Sequence, residues 1–121
     1  MAMAVITPEH MYSVGLLSEI PTSEEADINF LMDKALSKVM FLPFGYTIDQ
    51  YRWALFDGTI PKEQMNQGWW DLRTKYQGIT PPVARSEEDF DAGSKYHVPS
   101  SVPYIRYFAA YVLEFMFYKA S

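Results

Sequence analysis

A chain of 121 residues is the length of one domain, or of a piece of a larger one. A net charge of −5 with ten Lys and Arg argues against a nucleic-acid binder, and the lack of cysteine excludes disulfide frameworks and thiolate metal sites. No run reaches the ~18 uncharged apolar residues of a membrane span, and Met1–Thr7 lacks the length and basic start of a signal peptide.

Met1–Ile6 is apolar and reads as the tail of a helix. Thr7-Pro8-Glu9 is a helix start, with a hydroxyl cap, proline at the first position and an acid in the first turn; it predicts a helix to about Leu17. Thr22 and Glu25 have the spacing of a capping box. Beyond them Ile28, Leu31, Met32, Ala35, Leu36, Val39 and Leu42 follow a helical stripe, expected to be core, which Pro43 ends or kinks near Leu42. A kink there turns the flanking Phe41 and Phe44 rings towards a cavity, while Lys38, on its own evidence, is a solvated side chain. A further helix is predicted over Thr47–Phe56, closed by Asp57-Gly58.

Pro61 opens the next predicted helix, with Met65, Trp69, Leu72 and Tyr76 on one face, Gly78 past its end and Pro81-Pro82 as a stop. Trp69 and Arg73, four residues apart, are neighbours on its surface. They form either a cation–π pair, which the residues alone favour, or two donors to one bound anion. Residues 81–94 read as a loop. Its acids Glu87, Glu88, Asp89 and Asp91 lack the spacing and glycine of an EF-hand, so a solvated acidic turn or a helix-start charge at Ser86 is expected.

The densest stretch is Lys95-Tyr96-His97-Val98-Pro99-Ser100-Ser101-Val102-Pro103-Tyr104-Ile105-Arg106-Tyr107-Phe108. Pro99 pushes Val98 towards an extended backbone, in which Lys95 and His97 project to one side, a reasonable clamp for a carboxylate. Ser100 or Ser101 is expected to cap the final helix, with Pro103 in its first turn. That helix is apolar on nearly every side: Ile105, Phe108, Ala109, Val112, Phe115 and Met116 form one face and Tyr104, Tyr107, Tyr111 and Tyr118 a second. Such a helix is expected inside a larger body or a membrane, and burying Arg106 there requires an anionic partner.

This stretch resembles the segment near the C-terminal end of the catalytic domain in the angiotensin-converting enzyme (peptidyl-dipeptidase A) family. The resemblance extends over Phe41-Leu-Pro-Phe-Gly-Tyr46, Asp49-Gln-Tyr-Arg-Trp53, Trp69-Trp-Asp-Leu-Arg-Thr-Lys-Tyr-Gln-Gly78 and Phe90-Asp-Ala-Gly-Ser-Lys95, and so over essentially the whole chain. It implies an all-α fold, about five or six helices, with residues 1–121 as the C-terminal segment of a larger helical zinc-metallopeptidase domain. It also implies site residues: Lys95 and Tyr104 on the free C-terminal carboxylate of a peptide, His97 on a substrate carbonyl, and Tyr107 on the oxyanion of the transition state. Phe41, Val102 and Tyr111 would line the pocket for the terminal side chain, with Lys38 near it. Trp69 and Arg73 would hold one chloride and Arg106 a second. Tyr111 stands where many members carry phenylalanine, and Thr80 where many carry cysteine.

The family's zinc requires His-Glu-x-x-His and a downstream glutamate. His10 and His97 are the chain's two histidines, and neither belongs to such a motif; His10 reads as a surface residue. By the resemblance the zinc ligands lie just upstream of the residues matching Met1–Pro8. The expectation is a chain without a metal site, catalytically incomplete by itself, whose partners are a peptide with a free C-terminus and the remainder of the domain. Its location by resemblance is extracellular or on a membrane-anchored ectodomain. The competing reading is a non-catalytic helical module, a pseudoenzyme or short homologue, that binds peptide ends or partner helices.

Overall fold

The computed structural model describes residues 6–120. Within them it is all-helical: α1 (Pro8–Ser13), α2 (Glu24–Lys38), α3 (Phe41–Phe56), α4 (Met65–Gln77) and α5 (Ile105–Ala120), with 3-10 turns at Lys62–Gln64 and Asp91–Ser94. No described helix is long and apolar enough to cross a membrane. The helical tail expected over Met1–Ile6 lies outside the described residues except for Ile6, which sits in a bend. Packing divides the chain into two units, Met40–Ala109 and a second made of Met1–Val39 with Ala110–Ser121.

In the unit formed by the chain ends, Thr7 caps α1 by accepting the His10 amide. The helix stops at Ser13 rather than Leu17, because Gly15 takes φ +76° and the amides of Leu16 and Leu17 turn back to the Met11 carbonyl. Ser23, not Thr22, caps α2 through the Ala26 amide. The α2 stripe is also not core: Ile28, Leu31, Met32 and Leu36 are 55–65% exposed. Periodicity marks a face that favours burial, but burial needs a partner surface. Lys38 is not simply solvated either; it pairs with Glu114 at 2.9 Å and lies 4.6 Å from the Tyr111 ring.

The unit spanning Met40–Ala109 holds the core: Ile48, Tyr51, Trp69, Ala92 and Tyr104. Pro43 neither ends nor kinks a helix here. α2 finishes at Lys38, α3 begins at Phe41, and Pro43 falls in its first turn, where no amide is needed. Thr47, expected to start a helix, lies inside this one and donates its hydroxyl to the Pro43 carbonyl at 2.7 Å. Gly45 lets the Phe41 ring fold against the helix, since a Cβ there would meet the ring at 2.8 Å. Asp57-Gly58 closes α3 and left-handed Gly78 closes α4 as the sequence predicts.

The acidic loop is largely exposed, as a solvated turn would be, but Glu87 and Asp91 in it also hold the structure together. Both Glu87 carboxylate oxygens accept α4 amides, from Asn66 and Gln67 at 2.8 Å each. Asp91 accepts from Asn66, Trp70 and Arg85. The Arg85 guanidinium foremost holds its carboxyl well below the usual range, against the cost of burial.

Candidate functional site

α5 starts where a residue far away in sequence tells it to. Neither Ser100 nor Ser101 caps it, and Pro103 lies outside it. Instead the Asp49 carboxylate, on α3, accepts the backbone amides of Tyr104 at 2.8 Å and Ile105 at 2.6 Å. The segment before it is a series of turns, not an extended strand: amides of Val98, Ser100 and Ser101 bond to carbonyls of Lys95, Tyr96 and Val98, and Ser101 has φ +55°. The extended alternation expected for Lys95 and His97 is therefore absent.

The side chains converge all the same, around Tyr104, which is 4% exposed. The His97 ring stands nearly perpendicular to Tyr104 at 4.7 Å and to Tyr107 at 5.7 Å, and the two tyrosine rings are 4.8 Å apart. The Lys95 ammonium lies 5.0 Å from the Tyr104 ring and 5.5 Å from Phe44. Phe41 and Phe44 close the other side of Tyr104 at 6.0 and 5.9 Å. Burial, then the cations Lys95, Arg106 and Arg52, hold the His97 imidazole below its ordinary pKa, with Asp49 pulling the other way. The ring is neutral near pH 7, and its Nδ1 is buried without a protein partner.

Val102 takes part through its backbone, donating to the His97 carbonyl at 3.0 Å. Tyr111 and Lys38 belong to the other unit, where they meet each other. Arg106 is exposed rather than buried; it stacks on Tyr107 and donates to its hydroxyl at 3.1 Å.

The Arg73 guanidinium stacks on Trp69 at 5.3 Å and on Phe44 at 5.2 Å, as the cation–π reading expects. Its Nε is nevertheless buried with no partner, beside a cavity of about 300 Å³ that Lys95, Trp69 and Asp91 also line. An orphaned charged donor in a partly polar hollow fits a small anion such as chloride. Zinc does not fit. His10 is exposed on α1, the His97 ring is hemmed by tyrosines, and among the described residues no three His, Asp or Glu side chains gather as a metal site.

Sequence reasoning assigned no role to Asp49 or Arg52. An acid and a base three apart on an otherwise uncharged helix were the available signal.

Comparison with known proteins agrees with the motif resemblance. The family model for angiotensin-converting enzyme matches residues 1–121. The chain is 58% identical over 120 residues to angiotensin-converting enzyme of Mus musculus, covering 99% of this chain and 9% of that protein. It is 56% identical over 119 residues to that of Theromyzon tessulatum, covering 98% and 19%. It is 48% identical over 119 residues to the angiotensin-converting enzyme-like protein Ace3 of Mus musculus, covering 98% and 16%. The chain thus spans a fifth or less of the length of these relatives. Matched end to end by the family's profile and 58% identical to one of its members over 99% of its own length, the chain belongs to the angiotensin-converting enzyme family.

Proposed function

We propose that residues 1–121 form the substrate-gripping and transition-state-stabilising part of a zinc-dependent peptidyl-dipeptidase, which releases dipeptides from the free C-terminus of peptides. The observation that carries this reading is the convergence of Lys95, His97 and Tyr107 on Tyr104. Lys95 and the Tyr104 hydroxyl bind the terminal carboxylate, a charge-assisted contact that an amidated end lacks. His97, neutral, hydrogen-bonds a substrate backbone carbonyl. Tyr107 donates its hydroxyl to the oxyanion formed as the scissile carbonyl is attacked, a contribution of about 3 kcal/mol for one such donor.

Phe41 and Val102 line the pocket for the terminal side chain; the parts of Tyr111 and Lys38 in that pocket rest on the family resemblance alone. Trp69 and Arg73 hold one chloride and Arg106 a second. A bound chloride would neutralise its guanidinium and fix it in place. Zinc belongs, in this reading, to the remainder of the catalytic domain, the partner the chain requires, in an extracellular or membrane-anchored ectodomain.

The test is a titration of the chain with a short peptide ending in a free carboxylate and with its C-terminal amide. The acid is expected to bind at least about tenfold tighter, as loss of one charge-assisted bond would give, and Lys95→Gln to abolish the difference. Equal affinities for acid and amide would sink the reading. The chain alone should carry no stoichiometric zinc and release no dipeptide; one tightly held zinc per chain would overturn its catalytic incompleteness.

A further inference from the structure

We propose that Asp49 and Arg52 are positioning residues, a buried clasp that holds both ends of the 97–105 segment and thereby fixes His97 against Tyr107. The catalytic meaning of that placement rests on the function proposed above.

Both residues sit on α3 and are nearly inaccessible, Asp49 at 3% and Arg52 at 8% exposure. Each Asp49 oxygen has its own task. Oδ1 accepts from Arg52, from Nε at 3.0 Å and from Nη2, while Oδ2 accepts the amides of Tyr104 and Ile105. Arg52 turns its remaining arm outward, and Nη1 donates to the His97 carbonyl at 2.9 Å. One ion pair therefore grips the segment at His97 and again at Tyr104. Between those points the chain makes only tight local turns, one of them through Ser101 in the left-handed region.

Tyr107 lies in the first turn of α5, the part of a helix whose amides have no intrahelical acceptor and which frays most readily. With no local cap, the order of that turn depends on the Asp49 carboxylate. Tyr107 in turn bonds its amide to the Tyr104 carbonyl at 3.0 Å, so Tyr107 takes its position from the residue Asp49 holds. Burial raises the Asp49 carboxyl, but Arg52 and the two amides outweigh it and keep it ionised.

Arg52→Lys keeps a cation beside Asp49 but cannot reach both the carboxylate and the His97 carbonyl with a planar fork. With helix content unchanged by circular dichroism, the variant is expected to lose the nuclear Overhauser contacts between the His97 and Tyr107 rings. Its His97 titration midpoint is expected to shift, since Lys95, Arg106, Asp49, Tyr104 and Tyr107 would face the ring at new distances. Ring contacts and midpoint identical to wild type would overturn the clasp.

Should Arg52→Lys fail to fold, hydrogen exchange on the wild-type chain decides instead. The Tyr104 and Ile105 amides are expected to exchange at least tenfold more slowly than an uncapped first-turn amide; exchange at the uncapped rate would overturn the proposal. Neither readout uses peptide, so failure of the carboxylate titration leaves the clasp standing or falling on its own.

Discussion

Arg73 presses its guanidinium against the Trp69 ring at 5.3 Å, yet its Nε finds no acceptor. A cation–π contact satisfies the face of the guanidinium and leaves its edge unmet, and an anion in the adjoining cavity would meet it. Chloride at five times its dissociation constant is expected to stabilise the chain by about 1 kcal/mol, a rise in Tm of about 4 °C for a chain of this size. Thermal melts in chloride and in acetate at equal ionic strength check this. Arg73→Gln should erase the difference, and an equal rise in the variant would place the anion elsewhere.

Alkali attacks a different group. Tyr51 is fully buried and donates its hydroxyl to the Met65 carbonyl at 3.1 Å. Burial, then the Glu87 carboxylate, push its phenol up to about 12. The folded chain holds this proton more tightly than the unfolded one. The stability it contributes is whole below about pH 10 and is lost as pH rises from there to about 12. Tyr51→Phe is expected to cost about 1 kcal/mol at pH 7 and to flatten the alkaline loss. Denaturant melts across that range measure both effects.

On the acid side the sign is set by His97. Its folded pKa lies below the ordinary 6.5, so the unfolded chain binds the proton more readily. Stability is full above about 6.5 and falls as pH drops towards the folded value. Removing the cation that depresses it most, by Lys95→Gln, should raise the His97 midpoint, as read by NMR titration. A midpoint unmoved by that change would show that Lys95 does not depress it.

The apolar faces of α2 and α5 predict association. Leu31 and Leu36 on α2, and Phe115, Met116 and Phe117 on α5, are 47–65% exposed. Contiguous apolar patches of this kind drive proteins together. The isolated chain is expected to elute above monomer size, and Phe117→Glu with Leu31→Glu to shift it towards monomer. A sharp, reversible monomeric melt of the unaltered chain would contradict this.

Several helix ends were legible in the sequence from neighbouring residues alone. Thr7-Pro8, Asp57-Gly58 and Gly78 mark helix ends because caps and left-handed glycines act within a few residues. The runs around Trp69 and from Lys95 to Phe108 likewise carry the family resemblance without any coordinates. Long-range partners were not legible. α5 is capped by Asp49 and α4 by Glu87, from 55 and 20–21 residues away, and the α2 stripe is left uncovered despite its clear period. A helical period fixes which side of a helix is greasy, but only the folded chain decides whether anything lies against that side, or which distant carboxylate reaches an unpaired amide.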